Sequence, residues 1–126
     1  MKTGVVVFAH GSRIESANEA VRSVTADFAR RVPDCAVETA FLELGKPDLA
    51  SAIETLARQG LKRIVVIPYF LTLGLHLERD LPVLVAESSK SFQNLEILVT
   101  PPLDGHPALA SILQDRLRTT LSPNHE

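Results

Sequence analysis

The chain has 126 residues, 45% of them hydrophobic and 22% charged, which is the balance of one ordinary folded domain rather than of a disordered or membrane-spanning chain. Thirteen Lys and Arg against fifteen Asp and Glu leave a net charge of -2, so the overall field draws in neither nucleic acid nor an anionic membrane, and an acidic ligand needs a local basic cluster. The single cysteine, Cys35, excludes an internal disulfide and every multi-cysteine zinc or iron-sulfur framework, and no apolar run approaches the ~20 residues of a membrane helix.

Met1-Lys2-Thr3 runs directly into the apolar stretch Gly4 to Ala9, which leaves no room for a signal peptide, so a cytoplasmic protein is expected. Val5 to Phe8 is β-branched and aromatic, too short for a helix, and ends at His10-Gly11-Ser12; it predicts a first strand. From Ile14 the apolar positions Ala17, Val21, Val24 and Phe28 recur at steps of three and four and stop before Pro33. That spacing predicts a long amphipathic helix with Ser12 as its N-cap. Ala36 to Phe41 predicts a second strand, with Cys35 a small buried or edge residue at its start, followed by Glu43 and a Gly45-Lys46-Pro47 loop.

Asp48 is placed to cap a second helix whose Leu49, Ala52, Ile53 and Leu56 form one face, and Gly60 suits its end. Ile64 to Ile67 has no polar alternation and so suits a central strand covered on both faces, with Pro68 confined to its end. A third helix is expected from about Asp80 to Lys90, where Pro82 is tolerable only in the first turn. Leu95 to Val99 predicts a fourth strand. Pro107 then opens a last helix through Leu109, Ile112, Leu113 and Leu117, and Ser122 to Glu126 should fray.

Strand and helix alternate four times, which predicts an α/β fold: a single domain over residues 1–121, then the tail 122–126. Right-handed crossovers give a four-stranded parallel sheet with helices on both faces, in the flavodoxin-like order 2-1-3-4. Ligands of such sheets bind beyond the carboxyl ends of the strands. His10 follows the first strand, Glu43 the second, His76 the third and His106 the fourth, whereas His125 lies in the tail. Two imidazoles and a carboxylate suit a borderline divalent metal such as Fe, Co, Ni or Zn while leaving positions open for a substrate. His106, before Pro107, serves equally as a cap of the last helix. A G-x-S-x-G elbow, a phosphate loop of the G-x-x-x-x-G-K-[ST] form and a G-x-G-x-x-G fingerprint are all absent, so neither a serine hydrolase nor an ATP or dinucleotide site is indicated.

Several segments taken in order, Ala9-His10-Gly11-Ser12-Arg13, Phe41-Leu42-Glu43 with Pro47, Pro68-Tyr69-Phe70-Leu71 leading to Gly74-x-His76-x-x-x-Asp80-x-Pro82, and Pro102-Leu103 with His106-Pro107, cover nearly the whole chain. This set resembles the short form of the sirohydrochlorin chelatases, the class II chelatases of tetrapyrrole synthesis. The resemblance implies a lyase that inserts Co2+ or Fe2+ into sirohydrochlorin, on the cobalamin or sirohaem route, with no ATP and no cofactor beyond the divalent metal substrate. Nickel-inserting relatives often carry a histidine-rich loop, and its absence weighs against Ni2+ but leaves it open.

By match of motif, His10 and His76 are the metal-handling histidines and Glu43 the neighbouring acid, and a one-domain chain is implied to assemble its cleft as a homodimer. Metallation replaces two pyrrole N-H protons, so it needs a base near the macrocycle and ligands that release the ion; neutral imidazoles do both. For the substrate's carboxylates, Ser12 at the head of the first helix, Arg13, Lys46 and Arg79 are the candidates. Leu71, Leu73, Leu75 and Leu77 offer an apolar wall or core packing. The competing reading is a metal or tetrapyrrole carrier that uses the same residues without turnover. A regulatory flavodoxin-like module needs an acidic phosphoacceptor cluster or a flavin phosphate loop, and neither is evident.

Overall fold

The structure, a computed structural model, describes residues 2–123. Its strands are β1 (Thr3–Ala9), β2 (Cys35–Phe41), β3 (Arg63–Pro68) and β4 (Glu96–Val99), and its helices α1 (Glu15–Arg31), α2 (Leu49–Arg58), α3 (Leu75–Ser89) and α4 (Ala108–Leu121). The strands form one parallel sheet in the order β2-β1-β3-β4, as the alternation predicts. Cys35 opens β2, an edge strand, and is half-buried and free. The end of the tail, including His125, lies outside the described residues.

Register divides the strand residues between two faces. Val6 pairs with Val66 and Val66 with Val99, so alternate residues through them share one side, where Val6, Phe8, Ala40, Ile64 and Val66 pack against Leu49, Ala52, Ile53 and Leu56 of α2 and Leu81 of α3. Every predicted apolar position of α2 is buried, and the Asp48 carboxylate accepts the Ser51 N–H at 2.8 Å as its N-cap. On the opposite side, where Ala9 pairs with Phe41, the Arg22 guanidinium of α1 lies 5.2 Å above the Phe41 ring, which places α1 on that face.

Two sequence expectations are corrected. α1 begins after Ile14 rather than at Ser12, and its buried residues are Asn18 and Thr25, while Ile14 and Val24 of the apolar series are exposed. The helix is rotated because both polar side chains are satisfied in place: Thr25 Oγ1 donates to the Val21 carbonyl, and Asn18 bonds two loops. α3 starts at Leu75, with Gly74 before it, so Pro82 sits inside the helix. Packing of Leu77, Leu81, Leu84 and Val85 onto the core outweighs the hydrogen bond that the proline cannot donate. Finally, α4 forms as expected but buries none of its residues.

Candidate active site

The loops after β1 and β2 are stitched together at the carboxyl edge of the sheet. Leu42 N–H donates to the Ala9 carbonyl at 2.9 Å and Glu43 N–H to the His10 carbonyl at 3.0 Å. So close an approach requires glycine at position 11, where φ is +95° and a Cβ would stand 1.7 Å from the Glu43 carbonyl oxygen. Asn18, 1% exposed, clamps both loops from α1: its Oδ1 accepts the Ser12 N–H at 2.8 Å, and its Nδ2 donates to the carbonyls of Ser12 and Leu44, each at 2.9 Å. On this scaffold His10 Nε2 meets Glu43 Oε1 at 3.1 Å.

A carboxylate only accepts, so Nε2 of the neutral ring carries the hydrogen and Nδ1 keeps a free lone pair. The pair is more than half exposed, with side-chain exposures of 58% and 57%. Behind it the Phe70 ring stands edge-on to His10, with centroids 6.4 Å apart, and packs in turn on Phe8 at 6.0 Å.

His76 lies in the first turn of α3 rather than on a loop, and an Arg79 Nη2 donates to its Nδ1 at 3.1 Å. Arginine has no acceptor, so in the neutral ring the hydrogen is on Nε2, the opposite role to Nδ1 of His10 in what each ring leaves free. His10 and His76 line one open cavity of about 670 Å3, walled by Leu42, Phe70, Leu75 and Leu77, with Asp80 also in the wall. Leu75 is 86% exposed, so the rim presents bare apolar surface to water. Glu43 reaches this cavity through His10 and does not itself line it. Among the described residues, no three His, Cys, Asp or Glu side chains are grouped closely enough to hold a metal, so the expected trio is assembled as a pair and one.

The remaining expected residues divide. Ser12 Oγ accepts the Ile14 N–H at 3.0 Å in a turn ahead of α1. Arg13 and Lys46 are exposed on the stitched loops and outside the cavity lining, whereas Arg79 joins the cavity through His76. His106 Nδ1 accepts the Ala108 N–H at 3.0 Å and so caps α4. Of the leucine series, Leu75 and Leu77 line the cavity, Leu73 packs against the core, and Leu71 is exposed.

The clearest electrostatic perturbations lie in the supports of the site. Hydrogen bonds from Ser51 hold the Asp48 carboxyl below its ordinary value, and a hydrogen bond from Arg22 lowers Glu15. Asn18, Phe70 and Asp80 are residues that sequence reasoning did not assign to the site. His76 and Asp80 are four apart and share a helix face, a signal hidden by starting the helix at Asp80.

A family model described as CbiX matches residues 4–120. A sirohydrochlorin ferrochelatase, chloroplastic, of Arabidopsis thaliana is 34% identical over 94% of this chain and 53% of its own length. A sirohydrochlorin cobaltochelatase of Methanothermobacter thermautotrophicus is 30% identical over 95% of this chain and 94% of its own. Among solved structures, SirB from Bacillus subtilis with Fe3+ superposes with a TM-score of 0.87 at 22% identity, covering 98% of this chain and 49% of that one. A CbiX protein from Marinobacter aquaeolei gives 0.81 at 24% identity, covering 94% and 97%. The chain thus spans about half the length of the plant and Bacillus proteins and nearly all of the archaeal one.

Proposed function

The chain belongs to the CbiX family, and from that membership we propose that it inserts a divalent metal ion, Co2+ or Fe2+, into sirohydrochlorin without ATP. The observation that carries the reading is the pair of histidines on one open, apolar-rimmed cavity, one of them hydrogen-bonded to a carboxylate. Leu42, Phe70, Leu75 and Leu77 suit the face of a flat ring. His10 Nδ1 holds the lone pair that meets the incoming ion or accepts a pyrrole proton, and Glu43 stabilises the imidazolium that results. His76 is the second metal-handling imidazole. Arg13, Lys46, Arg79 and the turn at Ser12 serve the substrate's carboxylates.

The working form we propose is a homodimer, because one open cavity on one small domain leaves a large macrocycle half uncovered. A cytoplasmic setting suits a chain with a single free cysteine. The test is to incubate the protein with sirohydrochlorin and Co2+, Fe2+ or Ni2+ in turn and follow the visible spectrum against the uncatalysed rate. Many turnovers per chain with Co2+ or Fe2+ are expected. A single stoichiometric change without turnover overturns the enzyme in favour of a carrier.

A further inference from the structure

Metallation of the ring releases two pyrrole N–H protons, and the cavity offers few places to put them. Among the described residues that line it, only His10, His76 and Asp80 have side chains of ionisable type. The rest of the wall is apolar apart from Thr72, whose hydroxyl is no base at neutral pH. Glu43 stands behind His10 and does not line the cavity.

The two imidazoles cannot take both protons. His10 donates its Nε2 hydrogen to Glu43 and keeps one free lone pair, on Nδ1, which serves once, for the ion or for a proton. The neutral His76 ring has none to offer, since Nε2 carries its hydrogen and Nδ1 accepts from an Arg79 Nη2 at 3.1 Å. A second imidazolium there would also stand against the Arg79 guanidinium, like charge against like.

Asp80 differs on each count. It follows His76 by four residues on α3, roughly 6 Å along the helix axis and on the same face, and both residues line the cavity. An ionised carboxylate only accepts, and Asp80 Oδ1 lies 3.9 Å from Arg79 Nε, beyond hydrogen-bond distance, so that guanidinium leaves its lone pairs unclaimed. The side chain is 62% exposed, which gives an accepted proton a way out to water. Among the described residues no three His, Cys, Asp or Glu side chains are grouped closely enough to hold an ion, so nothing in the grouping makes Asp80 a third donor.

We propose that Asp80 is a catalytic base of this site, taking from the ring the pyrrole proton for which the histidines have no lone pair. The inference rests on the metallation reading of the proposed function and supplies the acceptor which that reading lacks. In balanced form, each N–H bond of the ring breaks with its electron pair left on nitrogen to bind the ion. One proton goes to His10 Nδ1, making an imidazolium, and the other to an Asp80 oxygen, making a neutral carboxylic acid; both then pass to water, and nothing is oxidised or reduced. A carboxylate is a weaker base than an imidazole and suits the later proton, because an ion already bearing on the ring makes the remaining N–H more acidic.

The test uses the full chain with Asp80→Asn and Asp80→Ala, assayed with sirohydrochlorin and Co2+ by visible spectrum. At a side chain 62% exposed neither change removes buried packing, and a thermal melt checks each fold. Asp80→Asn keeps the shape without the base, so kcat should fall about a hundredfold or more, while the Kd for Co2+ alone stays at the wild-type value. In Asp80→Ala, added formate, a carboxylate small enough to enter the vacated space, should raise kcat in proportion to its concentration and leave the wild type unchanged. Wild-type kcat in Asp80→Asn, a loss of Co2+ affinity large enough to account for the slower rate, or an Asp80→Ala rate indifferent to formate each overturns the base. A wild-type chain that binds sirohydrochlorin and Co2+ without turnover overturns the metallation reading and this proposal with it, whereas full turnover kept by Asp80→Asn overturns this proposal alone.

Discussion

Strands β1 and β2 have α1 on one face and α2 on the other, whereas β3 and β4 have a helix of their own chain on one face only. In the first half Val5, Val7, Ala9 and Phe41 are buried on the side away from the main core; in the second half Val65, Ile67 and Leu98 on that side are not. Both halves are equally apolar in sequence. The difference teaches that hydrophobic periodicity states how much cover an element requires and says nothing about whether the next helix along the chain supplies it. The histidines of the site straddle this divide, His10 following β1 in the finished half and His76 on the helix after β3.

The sharpest way to test the contrast is to truncate one side chain from each half at high dilution. Phe41→Ala removes a fully buried ring on the side of the first half away from the main core and should cost about 3–5 kcal/mol in urea unfolding, while Leu98→Ala, 46% exposed on the same side of the second half, should cost about 1 kcal/mol or less. Equal losses would erase the distinction between the halves.

Next in size, His10→Ala should lower metallation by about a hundredfold or more and leave unfolding nearly unchanged, because its side chain is 58% exposed. Steady-state kinetics beside a thermal melt check this, and wild-type turnover in a folded variant would remove His10 from the chemistry. Asn18→Leu should affect both readouts: stranding the part-buried Ser12 N–H costs about 1 kcal/mol, and releasing the two loops should slow metallation. A variant that loses stability while keeping full turnover would show that the clamp serves the fold alone.

The smallest expected effect is at Asp48. Its carboxyl is held below the ordinary 3.8 by hydrogen bonds from Ser51 in the folded state, so the ionised cap stabilises the protein fully above that value and less as pH falls through the folded one. Asp48→Ala should therefore cost about 1 kcal/mol at neutral pH, and the gap to wild type should close in acid. Unfolding curves from pH 7 down to about 3 give the comparison, and a gap that widens in acid would reverse the assigned sign.

The sheet was legible in the sequence because its strands are short continuous apolar runs between clear turn residues, and α2 because its four buried positions are all apolar. The buried face of α1 is not legible because Asn18 and Thr25, polar by composition, find internal partners that no periodicity reveals. Pro82 reads as a first-turn residue, which places the start of α3 too late and hides the shared face of His76 and Asp80. The convergence of His10, Glu43 and His76 on one edge follows from topology alone, but the direct bond between His10 and Glu43 depends on Gly11 permitting two loops to touch.

The hydrogen bond from Arg79 to His76 has a kinetic meaning. Any ion that takes Nδ1 must evict a guanidinium, and one that takes Nε2 must first send its hydrogen to Nδ1, where the guanidinium already donates. If His76 handles the ion as proposed, capture there is a competition between two cations, and the resident one is tethered and at hand. A storage protein would gain from leaving that nitrogen bare. A protein that hands its ion on gains from the opposite arrangement, in which the tethered arginine reoccupies the imidazole as the ion departs and makes each delivery harder to undo.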